Sequence, residues 1–583
     1  MNFERLESII NVKIQRYNKL LYSQFTEFFM SDKKNITPNM TDYQTEYENF
    51  KWNMPADFNF GTHVVNKIAA EEPDRNALIW VNTDASRDEY VTFKQMSERS
   101  NKVAHMLLKN GLQKGDRVLL IVHRTPDWHY LMVGMSKAGI IPMPGTNLLT
   151  PHDIEYRMNR AEAKAAIVSI EHAAKVDEVE EKCPSMKIKM VLDGEHDGWI
   201  SYNKEFEDAP VSLPELPETK ADEPMLIYFT SGTTSYPKMV LHSHGSYGFG
   251  HMVTAKYWQD LHAGDLHWTM SDTGWAKAAW GKIYGQWHQR ATVFMRDARG
   301  RFNPQLTLEL IQKYNISTFC APPTVYRMLI LEDLIKYDLS SIRHSLSAGE
   351  PLNPEVIEQW KIATGTVIHD GFGQTETVNI IANFKCNSIK FGSMGKPVPG
   401  FKIEIVDEEG NVLPPNTEGQ IAIEIKPERP VGLMTEYWHD DEANNKAFFD
   451  KWYFTGDKAT KDEDGYFWFV GRADDVIKAS GYRIGPFEVE SALLEHPAVA
   501  ESAVVGSPDK LRGVIVKAFI ILKPGIEGNP VLVKKIQDFV KKRTAPYKYP
   551  REIEFVKELP KTLSGKIKRK ELRQQEIDKK TKT

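Results

Sequence analysis

The chain has 583 residues, 41% hydrophobic and 26% charged, enough for more than one globular domain. No apolar run reaches eighteen residues, and Met-Asn-Phe-Glu-Arg-Leu-Glu-Ser lacks a basic start before an apolar core, so neither a transmembrane helix nor a secretory signal is expected. The net charge of −5 is uneven: residues 531–583 hold 17 Lys or Arg and 7 Asp or Glu, and no nucleic-acid recognition motif accompanies this basic stretch.

Residues 1–56 read as a polar, helical and then irregular extension laid against the main body. Residues 57–473 form the large unit. Apolar runs such as Arg117 to Val122, Ala165 to Val168 and Thr366 to Ile368 alternate there with helical patterns, which predicts β-sheets covered by helices. From about residue 400 the pattern changes. Phe401 to Val406 and Gln420 to Ile425 alternate apolar and polar residues between turn signals, predicting a small antiparallel β unit. Residues 474–583 form the last domain. Gly485-Pro486 opens a helix over Phe487 to Leu494, and Ala500 to Val505 and Val516 to Leu522 read as strands. The fold class is α/β: a large domain of helix-flanked sheets with a small barrel-like β unit, then a small mobile α+β domain. The cysteines Cys183, Cys320 and Cys386 have neither pairing nor metal spacing, which points to a reducing cytoplasm; Cys320 reads as a small buried apolar residue. The pair His242 and His244 has no further ligand nearby in sequence, so no zinc site is expected.

Five segments carry chemistry. The run Met225 to Phe229 leads into Thr230, Ser231, Gly232, Thr233, Thr234 and Ser235, with Lys238 just beyond. Small hydroxyls and an approachable backbone suit phosphate oxygens, and Lys238 adds a cation. It is not a Walker A loop, since no Gly-Lys-Ser/Thr follows. The second segment is Asp370, Gly371, Phe372, Gly373, Gln374, Thr375 and Glu376, with an aromatic suited to a base and a carboxylate suited to Mg²⁺. Third is Trp452 to Asp457, whose carboxylate suits a ribose diol. Fourth is Gly471 to Gly485, with Arg472, Asp474, Ser480, Gly481, Tyr482 and Arg483. Fifth is Pro560 to Lys566, a lysine on a Gly turn seventeen residues before Thr583. Singly each is weak; a solvated Ser/Thr turn or a basic tail explains the first and last equally well.

In this order the five segments resemble the adenylate-forming superfamily of acyl-CoA synthetases, adenylation domains and luciferases. The resemblance covers nearly everything beyond residue 55 and is closest to the medium-chain acyl-CoA synthetases. Ser271 to Trp275, Ala321 to Arg327, Ser347 to Leu352, Ser480 to Pro486 and Thr544 to Arg551 narrow it. One departure is Ser235-Tyr236, where many relatives carry Gly and a varied residue; Ser adopts a left-handed turn less easily than Gly.

The resemblance implies an AMP-forming acid–thiol ligase using ATP, Mg²⁺ and coenzyme A, acting through an acyl-adenylate on a short, medium-chain or branched fatty acid. It implies that Lys566 bridges carboxylate and α-phosphate, and that the Thr230–Ser235 loop with Lys238 holds the β- and γ-phosphates. Glu376, with Thr230, takes Mg²⁺; Thr375 contacts the acyl-phosphate. Gly349, Glu350 and Pro351 face Phe372 across the adenine, with the Asp370–Gln374 segment lining the nucleotide. Asp457 and Arg472 take the ribose, and Arg483 lies near the phosphate. Asp474 is the hinge on which the last domain turns, presenting Ser480, Gly481 and Tyr482 to the pantetheine arm, with Arg512 and Arg551 near the coenzyme A phosphates. Trp275 walls the acyl pocket. Lys277 is harder to place and gets no role. Other readings are an aryl-acid CoA ligase, an adenylating enzyme serving a carrier-protein thiol, and a catalytically silent nucleotide binder. The expected partner is a small carboxylic acid, with neither nucleic acid nor a membrane span.

Overall fold

The computed structural model describes residues 36–230, 237–349, 352, 354–472, 475–479, 482–509, 513–544, 548–561 and 567–581. The described part of the extension carries one helix, Tyr43–Asn49, whose start is fixed by Asp42 accepting from the Thr45 N–H. Its aromatic residues hold it to the body. Tyr43, Tyr47 and Trp52 donate to the carbonyls of Pro397, Phe401 and Gly400 at 2.9, 2.9 and 3.2 Å. The extension therefore straps the segment that leads into the small β unit, as its aromatic content allows.

Two sheets follow the predicted alternation. The first is parallel throughout and joins Arg117–Ile121, Ile141–Pro144, Ala165–Ser169, Ile188–Leu192 and Ile200–Ser201. Its central strands are apolar on both faces because helices cover both. The second has nine strands. At its centre Leu266–Thr269, Thr318–Ala321, His344–Ala348 and Ile368–Gly373 run parallel, with Thr318 opposite His344 and Ser345 opposite Ile368. The apolar run Thr366 to Ile368 enters this sheet only at Ile368. Thr366 instead bonds the Thr364 and Ser345 hydroxyls at 2.8 and 2.9 Å.

The strand Pro224–Thr230 pairs antiparallel with Lys238–Ser243. Thr230 and Lys238 are the last facing pair, so the strands on either side of the phosphate-loop sequence pair with each other, and a strand rather than a helix resumes at Lys238. The predicted antiparallel unit is present: Ile403–Val406, Gly419–Glu424, Phe448–Phe449, Trp452–Lys461 and Phe467–Arg472 are joined in one sheet. In the last domain Val499–Asp509 and Gly513–Leu522 are antiparallel, and Glu552–Phe555 joins the second in parallel. The helix opened by Gly485-Pro486 spans Pro486–Leu494. The C-terminal helix Arg569–Thr581 is tied in by charge. Lys517, nearly buried, reaches Glu576 at 2.6 Å and Glu554 at 2.8 Å, and Arg573 reaches Asp475 at 2.6 Å. Cys183 and Cys320 are buried, Cys386 half-buried, and all three are free. Among the described residues no helix is long and apolar enough to cross a membrane.

Candidate active site

The first three segments, with Arg472 of the fourth, meet where the hairpin, the C-terminal end of the strand Ile368–Gly373 and the small β unit come together. This is the edge at which open α/β sheets take ligands. Asp457 and Arg472 face each other across the strands Trp452–Lys461 and Phe467–Arg472. Gly456, with φ of 74°, turns the backbone just ahead of Asp457 in a conformation Gly adopts without penalty. The Asp457 carboxylate is buried, and Arg472 Nε lies 3.7 Å from it while the guanidinium stays half exposed. Gln374 joins this pair to its own segment. Its Nε2 donates to Asp457 at 2.6 Å and to the Thr455 carbonyl at 2.9 Å. Its Oε1 is buried and has no hydrogen-bond partner among the described residues.

Glu376 sits two residues on. Tyr437 donates its hydroxyl to the Glu376 carboxylate at 2.9 Å. Burial, then the Glu376 charge, holds the Tyr437 hydroxyl well above the ordinary tyrosine range, so it stays a donor. Lys238 stands over the other face of this arrangement, its Nζ 4.5 Å from the Tyr437 ring centroid. Thus Tyr437 joins the hairpin cation, which lies over its ring, to the carboxylate, which accepts from its hydroxyl. A single carboxylate and a hydroxyl are the oxygen donors that suit Mg²⁺ completed by phosphate oxygens and water. Among the described residues no cluster of three His, Cys, Asp or Glu offers an all-protein metal cage.

His242 fixes the distance between hairpin and loop. Its Nε2–H donates to the Thr375 carbonyl at 2.7 Å, and Nδ1 faces the Ser246 hydroxyl at 3.1 Å. Burial pushes its pKa down to about 4, so the ring is neutral and Nε2 carries the proton. Phe372 lies 6.4 Å from Phe469 of the β unit, the two rings tilted by 40°. Gly349, with φ of 110°, leaves the strand His344–Ala348 in a turn that favours Gly. Asp370 accepts from the Gly371 N–H at 3.1 Å; burial pushes its carboxyl up to about 8, against the opposing pulls of Gly371 and Lys277. Trp275 is half-buried and caps the helix Ala276–Lys282.

The last domain brings fewer predicted residues into view. Arg551 donates to the Tyr549 hydroxyl at 3.0 Å, and Lys541 stands 4.1 Å over the same ring, so two cations share one aromatic. Tyr482 and Arg483 lie on the short strand Tyr482–Ile484, paired with Ile477–Ala479. Ser231, Gly232, Thr233, Thr234, Ser235, Glu350, Pro351, Asp474, Ser480, Gly481, Arg512 and Lys566 lie outside the described residues.

Comparison with known proteins settles the family. An AMP-binding enzyme model matches residues 65–438, and its C-terminal domain model matches residues 488–566. The chain is 46% identical over 555 residues to the mitochondrial acyl-coenzyme A synthetase ACSM3 of Pongo abelii, covering 94% of both. It is 47% identical over 532 residues to the mitochondrial acyl-coenzyme A synthetase ACSM4 of Mus musculus, covering 90% of this chain and 91% of the relative. It belongs to the acyl-CoA synthetases. The crystal structure of the anthranilate CoA ligase AuaEII with anthranoyl-AMP superposes with a TM-score of 0.84 at 32% identity, covering 91% of this chain and 99% of that one.

The synthetase is therefore an AMP-forming ligase that uses ATP, Mg²⁺ and coenzyme A. Its sequence left three contacts unannounced. Tyr437 lies in Met434 to Asp440, a stretch with no motif of its own. His242 shows in the sequence only a His-Ser-His spacing without further metal ligands. Gln374 reads as one motif residue among seven, and its bridge to Asp457 depends on a partner 83 positions away.

Proposed function

We propose that this synthetase activates a short, medium-chain or branched aliphatic acid and transfers it to free coenzyme A. The observation that carries the reading is the bridge from Gln374 to Asp457, which links the motif expected at the base and metal to the one expected at the ribose. A carboxylate is a poor acyl donor, and a mixed anhydride with AMP gives it a good leaving group. In the first half-reaction the acid's oxygen forms a bond to the α-phosphorus of ATP while the bond to the β-phosphate oxygen breaks and pyrophosphate leaves. Two anions must be brought together, so cations have to offset their repulsion. We assign Lys566 to the carboxylate and α-phosphate, and Lys238 with the Thr230–Ser235 loop to the β- and γ-phosphates. Glu376 with Thr230 would hold Mg²⁺, which would supply charge neutralisation on the phosphates. Asp457, seated by Gln374 and Arg472, takes the ribose hydroxyls; Phe372 and residues Gly349, Glu350 and Pro351 take the two faces of the adenine, and Arg483 lies near the phosphate. Trp275 walls the acyl group, beside Thr375.

In the second half-reaction the coenzyme A sulfur forms a bond to the acyl carbon, AMP leaves and the thiol proton is released. Lys566 has to vacate that approach. We infer that residues 474–583 rotate about Asp474, bringing Ser480, Gly481 and Tyr482 to the pantetheine arm. Arg512, Arg551 and the basic 531–583 stretch then meet the coenzyme A phosphates. The neighbour solved with anthranoyl-AMP favours an aryl acid as the second reading. The mitochondrial names of the relatives favour the mitochondrion over the cytoplasm that cysteine usage suggests, and imaging of the tagged chain decides between them.

The test is joint measurement of AMP, pyrophosphate and acyl-CoA with MgATP, coenzyme A and acids from C2 to C12, branched and aryl members included. Equal formation of all three from aliphatic acids is expected. Pyrophosphate without acyl-CoA would replace coenzyme A by another acceptor. Lys566→Ala is expected to abolish adenylation while transfer from supplied acyl-adenylate persists; equal loss of both would end the rotation account.

A further inference from the structure

Glu490 is a buried carboxylate on the helix Pro486–Leu494, whose other buried residues are Pro486, Val489, Ala492 and Leu493. A carboxylate in such a place needs donors. One is the Val504 N–H, 2.8 Å from Glu490 Oε1, on the strand Val499–Asp509 at the edge of its sheet. Two more come from Arg569. Its Nε donates to Oε1 at 3.1 Å and its Nη2 to Oε2 at 2.6 Å. This two-pronged geometry fixes direction as well as distance. Arg569 opens the helix Arg569–Thr581 and comes three residues after Lys566. The residues on either side of 562–566 are clasped together. Lys561 bridges Ile567 in antiparallel register, and the Lys568 N–H donates to the Pro560 carbonyl at 2.9 Å. Leu559 and Leu572 are buried in one cluster with Ala503, Val505 and Phe519. Apolar contact of this kind holds the flanks to the domain but is non-directional. The fork on Glu490 supplies a direction.

We infer that Glu490 is a positioning residue for adenylation, which through its fork with Arg569 orients the stretch that carries Lys566. The inference rests on the assignment of Lys566 to the carboxylate and α-phosphate. Three residues of chain span at most about 10 Å, so a shift at Arg569 is felt at the base of Lys566. A misplacement of about 1 Å at a reacting group can lower a rate about 100-fold. Transfer to coenzyme A does not use Lys566, so that half-reaction is indifferent to the fork.

The test uses Arg569→Lys and Glu490→Gln in the full chain. Lys keeps a cation beside the buried carboxylate but cannot form the fork. Gln keeps the shape and an acceptor for the Val504 N–H but loses the charge. Each variant is assayed twice, with the acid that wild type turns over fastest. Adenylation is read as single-turnover pyrophosphate release at saturating MgATP, and transfer as acyl-CoA formed from supplied acyl-adenylate. Adenylation is expected to fall roughly 10–100-fold while transfer stays within about twofold of wild type. Transfer also reports folding, because it needs the same domain, and Glu490→Gln carries the comparison should Arg569→Lys not fold. A merely structural role lowers both half-reactions together, and that outcome overturns the inference. Adenylation within about twofold of wild type in both variants overturns it as well. Wild-type adenylation in Lys566→Ala overturns instead the assignment of Lys566 on which the inference rests.

Discussion

Replacing Tyr437 by Phe removes one oxygen and little else. The hydroxyl donates to Glu376 at 2.9 Å, and the ring lies under Lys238 Nζ at 4.5 Å. Phe preserves the ring face and the packing, so the cation keeps its neighbour. What is lost is one hydrogen bond to a charged carboxylate, which contributes about 1.5–3 kcal/mol. At about 1.4 kcal/mol per factor of ten, this corresponds to a loss of roughly 10–100-fold in affinity for whatever Glu376 binds. A residue that orients a metal ligand without touching the metal has an effect of the same order. Glu376 is half-buried, so water can occupy the vacated donor position and the fold should hold. The assay is titration of ATP binding against Mg²⁺ by calorimetry, with adenylation rate followed in parallel. The Mg²⁺ requirement should rise roughly 10–100-fold, and saturating Mg²⁺ should restore most of the rate. Glu376→Gln should not be rescued in this way. An unchanged Mg²⁺ requirement in Tyr437→Phe, beside a disabled Glu376→Gln, would refute the idea that Tyr437 acts through Glu376.

Two further outcomes follow from buried polar groups. Asp457→Asn keeps the shape but removes the charge that Gln374 and Arg472 surround. The KM for ATP should rise roughly 10–100-fold with coenzyme A kinetics little changed, and an unaltered KM would remove Asp457 from the nucleotide site. Lys137 is buried without a carboxylate, its Nζ held by Asn101 Oδ1 at 2.7 Å, Ser100 Oγ at 2.8 Å and the Ser97 carbonyl at 3.2 Å. Burial lowers its pKa from 10.5 to about 7. Below pH 7 both folded and unfolded chains carry the charge and the full burial penalty applies. Between pH 7 and 10.5 only the folded chain sheds the proton, so the penalty is relieved as pH rises. Denaturant unfolding should therefore show wild type gaining on Lys137→Met by roughly 2–4 kcal/mol between pH 7 and 9.5. A difference that does not change with pH would contradict the buried, depressed lysine.

The reaction class was legible in the order of short motifs, because each holds residues whose chemistry is local. A Ser/Thr run can present hydroxyls, and a carboxylate before or after Gly can face a ligand, wherever the chain takes them. Apolar–polar alternation likewise marked the small β unit, although burial alternates only in part: Ile405 and Val406 are both buried, as are Ile421, Ala422 and Ile423. What only the tertiary structure decided is how the motifs meet. The two ends of the phosphate loop are held side by side because Thr230 faces Lys238, a register fixed by the whole strand pair. His242 reaches Thr375 across 133 residues, Tyr437 reaches Glu376 across 61, and Lys277 reaches Ala348 across 71. No periodicity records such pairs. A hydrogen bond needs its two atoms within about 3 Å, and sequence separation carries no information about that distance until packing has brought the strands together.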